Sequence, residues 1–513
     1  MLRSKSTLFI VIITALAVIA TITIAWNHET VAESRLGYTI QTVDNQMRSF
    51  SEVYQEEYQN KIHEQVKTLK KKYQYDVKNP LLIANPYQTV TNGIYVFFKT
   101  EKACQVEYRI SAKGYDDFIR IVPNHKLNNM SKKHEFLMVG LVMGETNTVT
   151  IQLLNNKNKV IGKTSFEYDC PKAIGKYNIN QIEVNKGDSV IPVSDGLYAI
   201  LGNDIKLDLN DGQQPEAYLA MYDNDGVLRV EIPLVSYRAH RLLFDENGMY
   251  FSISGGRIVR LDSTGYVNRV YKLGSVLLHH DYLFGNRGDL IVLGSNTKHG
   301  TKEDIVLSID LETKKVKTII DLKKILPEYY QMTSKPDNAP YLDWMHINSM
   351  SFVEKESLIL SSRETSTIIK LHSIYKKPTI DYMIGSPNFW KGTGYEQYLL
   401  KPMGDFSLHA GQHTITYEDI PKSDTDQYYI YLYNNNNTVS RTRPGYNWLE
   451  DNYYKNTGVA LDSRGNNSYY YKYLIDMSNR TFTLVDRIEV AYSGYVSSTQ
   501  HYKNRIIIDS GSE

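Results

Sequence analysis

Phe244-Asp245-Glu246-Asn247-Gly248 and Leu261-Asp262-Ser263-Thr264-Gly265 each end an apolar stretch on an aspartate, with a glycine three residues further on. The same Asp-x-x-Gly arrangement recurs at Tyr222-Asp223-Asn224-Asp225-Gly226 and Leu461-Asp462-Ser463-Arg464-Gly465, with a relative at Leu283-Phe284-Gly285-Asn286-Arg287-Gly288. Aspartate caps such a turn by accepting from its own backbone, and glycine supplies positive φ. Short strands punctuated in this way, without helices between them, predict an all-β closed repeat over residues 177–513. About 335 residues at roughly 45–55 per blade gives six or seven blades of a β-propeller. Two successive sandwiches are the competing arrangement, and the repeats are too degenerate for WD40 or kelch. Long insertions are expected at 320–345 and 385–408, where loops on a rigid scaffold carry function.

Upstream, alternating segments at 93–98, 104–110, 136–141, 148–154 and 163–168 predict a small antiparallel β-sandwich over residues 79–176. Pro80 and Pro86 mark its start by ending helix. Residues 28–78 read as a helical stalk, because 32–76 contain no proline and place Met47, Phe50, Val53, Tyr54 and Tyr58 on one helix face. A homodimer through this helix is left open; no strict heptad supports it.

Residues 1–27 set the compartment. Ser6 to Asn27 carry no charge, and a run of about 20 such residues spans a bilayer as a helix. Arg3 and Lys5 precede the run, so the positive-inside rule exports everything after it. The expected product is a single-pass membrane protein with its body outside the cytoplasm, or a secreted one if the segment is a cleaved signal. In an oxidising compartment Cys104 and Cys170, the only 2 cysteines, are expected to form a disulfide closing a loop of about 65 residues.

The 513 residues carry 58 Lys+Arg against 57 Asp+Glu, a net charge of +1 that offers no electrostatic footprint for nucleic acid. A content of 42% hydrophobic residues is ordinary globular material, and 41 tyrosines favour strands.

Three histidine sites stand out: Leu278-His279-His280-Asp281; Asp343-Trp344-Met345-His346-Ile347-Asn348-Ser349 with Ser361-Ser362-Arg363; and His409-Ala410-Gly411-Gln412-His413-Thr414. On a strand His346 and Asn348 project to one side. Arg363 lies beyond a short hairpin that returns it toward His346. Imidazole, amide and guanidinium together suit an anionic tetrahedral group such as sulfate or phosphate. A metal on His279 and His280 is disfavoured, since neighbours on a strand point to opposite faces. Gly411 argues against a helical metal pair of His409 and His413. No HExxH, Cys-based metal pattern, Walker sequence or GxSxG elbow occurs, so nucleotide binding and ordinary serine hydrolysis lose support. Tyr341, Tyr395, Tyr398, Tyr446, Trp344 and Trp390 are candidates for an aromatic wall, or ordinary core and loop aromatics.

At these three sites the sequence resembles the bacterial aryl-sulfate sulfotransferases, the exported type that does not use the nucleotide sulfate donor. The matching segments are His280-Asp281, Asp343 to Ser349, Ser361-Ser362-Arg363 and Gly411-Gln412-His413-Thr414, and the resemblance spans roughly residues 80–513. It implies a six-bladed propeller with its site at the central channel. It implies ping-pong transfer from a phenolic sulfate donor to a phenolic acceptor through a sulfated histidine, which the motif match makes His413, with no metal and no cofactor. Arg363 and Asn348 would stabilise the nonbridging oxygens. His346 would handle the proton and His280 bind sulfate, with His279 the alternative at that place. The contrasting expectations are a non-catalytic extracellular propeller binding a glycan or protein, and a sulfate-ester hydrolase using the same pocket.

Overall fold

The computed structural model of the chain describes residues 39–47, 49–123, 129–175, 180–185, 195–202, 217–236, 238–420, 426–437, 440–454 and 467–511. The expected anchor over 1–27 and the turn at 461–465 lie outside these residues. Among the described residues no helix is long and apolar enough to cross a membrane. The chain is mostly β and divides into two compact units, Met1–Tyr271 and Lys272–Glu513.

The first unit opens with helices α1 (Phe50–Val53) and α2 (Glu56–Lys72). They are not a free-standing stalk. Tyr58, Ile62 and Val66 recur at helical spacing and are buried in the unit's core with Phe50, Val53 and Tyr54. The buried Gln59 amide donates to the carbonyls of Val53 (2.7 Å) and Tyr87 (3.0 Å) and accepts from the Val267 N–H (3.1 Å). The His63 ring stacks on Tyr266 at 4.2 Å. An amphipathic face of this kind is stable only when covered, and here the unit's own body covers it.

Six strands follow: β1 (Leu81–Ala84), β2 (Ile94–Ala112), β3 (Phe118–Ile121), β4 (Ser131–Met138), β5 (Thr146–Leu154) and β6 (Val160–Asp169). The sequence pattern splits 93–110 into two strands because Lys99, Glu101 and Lys102 interrupt it. The backbone instead runs through as β2, with a register shift between Lys99 and Cys104. Its first half pairs with β1 and β4, its second half with β3 and β5. One strand thereby serves both layers, as corner strands of sandwiches do.

That register also corrects the expected disulfide: Cys104 and Cys170 are free and buried. Cys104 stands beside the Gln105–Leu154 pair, and Cys170 follows Asp169, which pairs with Thr146. Leu154 and Thr146 are opposite ends of β5, so the two cysteines are separated by about 25 Å along the strand. A disulfide needs Cα atoms within about 7 Å. Cys104 Sγ lies 3.5 Å from His134 Nε2 instead.

A three-stranded sheet, β7 (Tyr198–Ile200), β8 (Ala217–Tyr222) and β9 (Leu228–Leu234), and a four-stranded meander, β10 (Leu242–Phe244), β11 (Gly248–Ser254), β12 (Arg257–Asp262) and β13 (Val267–Lys272), complete this part of the chain. The Asp-x-x-Gly turns join their strands. Asp262 Oδ1 accepts from the N–H groups of Thr264 (2.8 Å) and Tyr266 (3.2 Å), and Gly265 has φ +87°. Asp223 does the same for Asp225 and Val227, both at 2.9 Å. Gly248 is needed for a different reason: a Cβ there would meet the Arg260 guanidinium at 2.7 Å.

The second unit contains three sheets built alike. The first is β14 (Leu277–Phe284), β15 (Asp289–Ser295), β16 (Ile305–Asp310) and β17 (Val316–Asp321). After helices α3 (Leu322–Ile325) and α4 (Pro327–Met332) comes the second, β18 (Ile347–Glu354), β19 (Ser357–Ser362), β20 (Thr367–His372) and β21 (Thr379–Ile384). Helix α5 (Pro387–Trp390) and β22 (Lys401–Pro402) lead to the third, β23 (His413–Glu418), β24 (Gln427–Asn434), β25 (Asn467–Asp476) and β26 (Thr481–Ala491), which β22 joins in parallel at its edge. A hairpin, β27 (Ser498–Tyr502) and β28 (Arg505–Asp509), ends the chain. The first strands of the three sheets, β14, β18 and β23, are neighbours. Trp344 and Trp390 are fully buried, their indole N–H groups donating to Asp304 (2.9 Å) and Thr367 (2.9 Å). They are core, not an aromatic wall.

Candidate active site

Each of these neighbouring first strands delivers one histidine. His280 is on β14, His346 immediately precedes β18, and His413 opens β23. His280 Nε2 lies 3.2 Å from His346 Nε2, and the His280 and His413 ring centroids are 6.2 Å apart. Histidines separated by 66 and 67 residues in sequence thus form one cluster.

The backbone that presents them is unusual. His280, His346 and Glu303 all have positive φ, at +56°, +47° and +57°. Left-handed conformations in non-glycine residues cost about 1–3 kcal/mol each and persist where surrounding structure enforces them, commonly at functional sites. The enforcement is visible. The ladder between β14 and β15 is broken from Leu278 to Tyr282, and that between β18 and β19 is broken at Ile347–Ser349. Glu303 donates its N–H to Ser295 Oγ (2.9 Å) and accepts from the Ile347 N–H (3.0 Å).

Glu303 was not singled out by the sequence. It precedes β16 in a stretch with no motif, yet it organises the site. Its Oε2 is 2.9 Å from His346 Nδ1 and 3.5 Å from His280 Nε2. Asp343 Oδ2 also reaches His346 Nδ1, at 2.6 Å. Lys302 Nζ bridges the two carboxylates, 3.4 Å from Glu303 and 3.1 Å from Asp343. Burial alone would push the His346 pKa down, but the Glu303 and Asp343 carboxylates outweigh it and hold the imidazolium up to about 9. Charged His346 donates from both nitrogens, so His280 Nε2 accepts from it.

This charge has a consequence for stability. The folded pKa of about 9 exceeds the ordinary 6.5, so the ion pair contributes stability that is fully present below about pH 6.5 and is lost as pH rises through about 9. Thermal unfolding midpoints should fall across that window. Glu303→Gln should flatten the fall; an equally steep decline in the variant would show that His346 is not its source.

His413 stands in the opposite state. Burial first, then electrostatic repulsion from the direction of His280 and Arg363, holds its pKa well below the ordinary 6.5, so it is neutral. Its Nδ1 is 2.6 Å from Asn435 Oδ1. The orientation of that amide is determined by its other end: Asn435 Nδ2 donates to the carbonyls of Ser493 (2.7 Å) and Val496 (3.2 Å). Only the oxygen can face His413, so Nδ1 carries the proton and Nε2 keeps its lone pair. Asn435 was also missed by sequence reading. Its one signal in the sequence is the run Asn434 to Asn437, which the structure buries throughout. Asn434 Oδ1 accepts from Ala410 N–H (2.8 Å), and Asn437 N–H donates to the Ala410 carbonyl (3.2 Å).

The Gly411-Gln412 pair seats His413. Gly411 has φ +60°, and a Cβ there would meet the Asn437 carbonyl oxygen at 2.1 Å. Gln412 Nε2 donates to Ser361 Oγ (3.0 Å) and the Ser362 carbonyl (3.1 Å), fastening β23 to β19. Asn348 Nδ2 donates to the Gln412 carbonyl (2.7 Å). In the free protein that amide therefore supports the turn before His413. Arg363 donates its backbone N–H to the His346 carbonyl (3.1 Å), so the β18–β19 hairpin does bring it to the cluster. Its Nε is buried without a hydrogen-bond partner. Burial lowers its pKa, with Glu364 and Asp343 opposing. A largely buried guanidinium whose Nε lacks a partner, beside a neutral imidazole, is a ready anion site.

His279 is at the cluster's edge, its ring edge-on to His280 at 5.3 Å; burial holds its pKa near 3. His409 does not join. Its Nδ1 is 3.2 Å from the Tyr473 hydroxyl, and its ring packs against Tyr473.

The family model described as Arylsulfotransferase (ASST) matches residues 183–513, and the one described as Arylsulfotransferase Ig-like domain matches residues 81–171. A search of the curated proteins finds no match. Among solved structures, a candidate 6-phosphogluconolactonase from Bacteroides fragilis is 8% identical with a TM-score of 0.33, covering 79% of this chain and 87% of its own. A WD40 domain of coronin from Toxoplasma gondii is 9% identical with a TM-score of 0.27, covering 59% of this chain and 67% of its own. At such scores the likeness does not establish a shared architecture.

Proposed function

The chain belongs to the arylsulfotransferase family, and from that membership we propose that it moves a sulfuryl group from a phenolic sulfate ester to a second phenol in two half-reactions through a sulfated His413. The observation that carries this reading is the tautomer of His413: a neutral buried imidazole whose Nδ1–H is held by Asn435 (2.6 Å), leaving Nε2 as nucleophile.

In the first half-reaction Nε2 attacks sulfur in line with the ester oxygen. The N–S bond forms, the O–S bond breaks, and the departing aryl oxide takes a proton. His346 supplies it. Its pKa of about 9 lies close to that of a phenol, about 10, the matching that general acid–base catalysis favours. In the second half-reaction the acceptor phenol returns its proton to His346 as its oxygen attacks sulfur and the N–S bond breaks. Arg363, Asn348 and His280 meet the charge on the nonbridging oxygens. No cofactor enters the scheme. Activity should fall as pH rises through about 9, where His346 loses its proton, and Glu303→Gln should move that limb to lower pH.

The three like sheets with neighbouring first strands support reading the body as part of a six-bladed propeller with the histidines at its axis. The apolar segment before residue 28 supports an exported protein held by a membrane anchor.

The test is release of a chromogenic phenol from its sulfate ester, with and without a second phenol and without nucleotide. Faster release with acceptor, a sulfated acceptor, and added SO3 on the peptide carrying His413 are expected. Release indifferent to acceptor would make the protein a hydrolase, and no release from several aryl sulfates would make it a binding protein. Replacing Asn435 by leucine frees the His413 tautomer. It should lower turnover by about 10- to 100-fold with little change in KM; an unchanged rate would remove Asn435 from the mechanism.

A further inference from the structure

We infer that His279, His280 and Glu303 form a site for a borderline divalent cation, Zn2+ foremost, and that filling it inhibits the enzyme; only the inhibition rests on the reaction proposed above.

Regular strand alternation would send His279 and His280 to opposite faces. The broken ladder between Leu278 and Tyr282 and the φ of +56° at His280 remove that alternation. One ligand atom from each of His279, His280 and Glu303 lies within 4.8 Å of the others. His280 Nε2 and Glu303 Oε2 are 3.5 Å apart, which is the edge of a tetrahedron with metal–ligand bonds of about 2.1 Å. The 4.8 Å bound leaves His279 at most about 1.4 Å to close to complete the face.

His279 itself supplies the second observation. Both its ring nitrogens are sealed from solvent and neither forms a regular hydrogen bond; the Gly294 backbone is a polar neighbour of the ring. Buried polar atoms in folded proteins are nearly always satisfied, and one backbone neighbour cannot serve both nitrogens of an imidazole, so His279 calls for an ion or water. Two neutral imidazoles and a carboxylate form the donor set of open zinc sites, and imidazole-rich sets favour Zn2+ over Mg2+ or Ca2+. Glu303 is already faced by His346 Nδ1 (2.9 Å) and Lys302 Nζ (3.4 Å). These cations compete for it, so the affinity is that of a regulatory or adventitious metal rather than of a resident zinc.

Binding takes His280 Nε2, the atom that accepts from His346 at 3.2 Å in the free protein. The cation therefore removes His280 from the anion-binding set and breaks the contact that orients the His346 proton.

The experiment uses the full chain stripped with chelator and titrated with Co2+, then Zn2+. Expected are the intense visible bands of four-coordinate Co2+ at one ion per chain, their loss on adding Zn2+, and a Kd for Co2+ raised at least about tenfold by His279→Ala or His279→Gln. Near-UV circular dichroism checks that each variant is folded, and His372→Ala, an exposed histidine on β20, should bind as the parent does. Absence of the bands in the parent, or unchanged binding in both folded His279 variants, overturns the site. The inhibitory part requires that Zn2+ lower aryl-sulfate turnover at the concentrations that displace Co2+. Binding without inhibition overturns that part alone, and a protein that binds Co2+ but turns over no aryl sulfate overturns the proposed reaction and leaves the metal site standing.

Discussion

His413→Ala is expected to lower aryl-sulfate turnover by about 10^4- to 10^6-fold, the scale on which loss of a nucleophile is felt when the covalent route closes. The fold should survive. His413 is one residue of an extensive second-unit core, and its removal leaves Asn435 Oδ1 unpaired, a cost of about 1–3 kcal/mol. The variant should keep its near-UV circular dichroism, lose the SO3 adduct, and regain part of its turnover with added imidazole, which fits the space left and again offers a neutral nitrogen. Turnover within tenfold of the parent would move the nucleophile elsewhere.

Arg363→Ala is expected to cost about 10^2- to 10^3-fold in kcat, the size found when a single preorganised donor is taken from a developing anion. Its Nε is buried and unpartnered in the free protein, so the guanidinium holds charge ready for the ligand and reorganises little during the reaction. Arg363→Lys should recover little. A lysine ammonium is a point charge without the planar fork that meets two oxygens at once. Lysine restoring most of the rate would reduce Arg363 to a distant electrostatic contribution. The backbone N–H of residue 363, which donates to the His346 carbonyl at 3.1 Å, is retained in both variants, so the hairpin geometry is not what is being tested.

Much of this site was legible from residue types and order. Histidine, asparagine and arginine within a hairpin's reach of one another point to an anion, and Gly411 between His409 and His413 argues against a helix there. Two rules misled, one at this site and one outside it. Strand alternation was applied to His279-His280 and to His346-Ile347-Asn348, but bulges and left-handed residues replace regular strand at both places. Alternation describes unbroken ladders only. Oxidation of the only cysteine pair was inferred from compartment and count. The pairing of β2, β5 and β6 keeps the two thiols at opposite ends of one sheet, a relation that no count reveals.

By itself the sequence determined the predominantly β character, the Asp-x-x-Gly turns and the residue types available for anion chemistry, because turn geometry and strand patterning are local properties of a few neighbouring residues. Only the tertiary structure decided which of these residues share a charge. Glu303 and Asp343 converge on His346 and raise it to about 9, while Asn435, from another strand's end, sets the tautomer of a His413 kept neutral by burial. The ionisation of a buried group depends on every charge and dipole within a few ångströms, and those neighbours come from segments tens of residues apart along the chain.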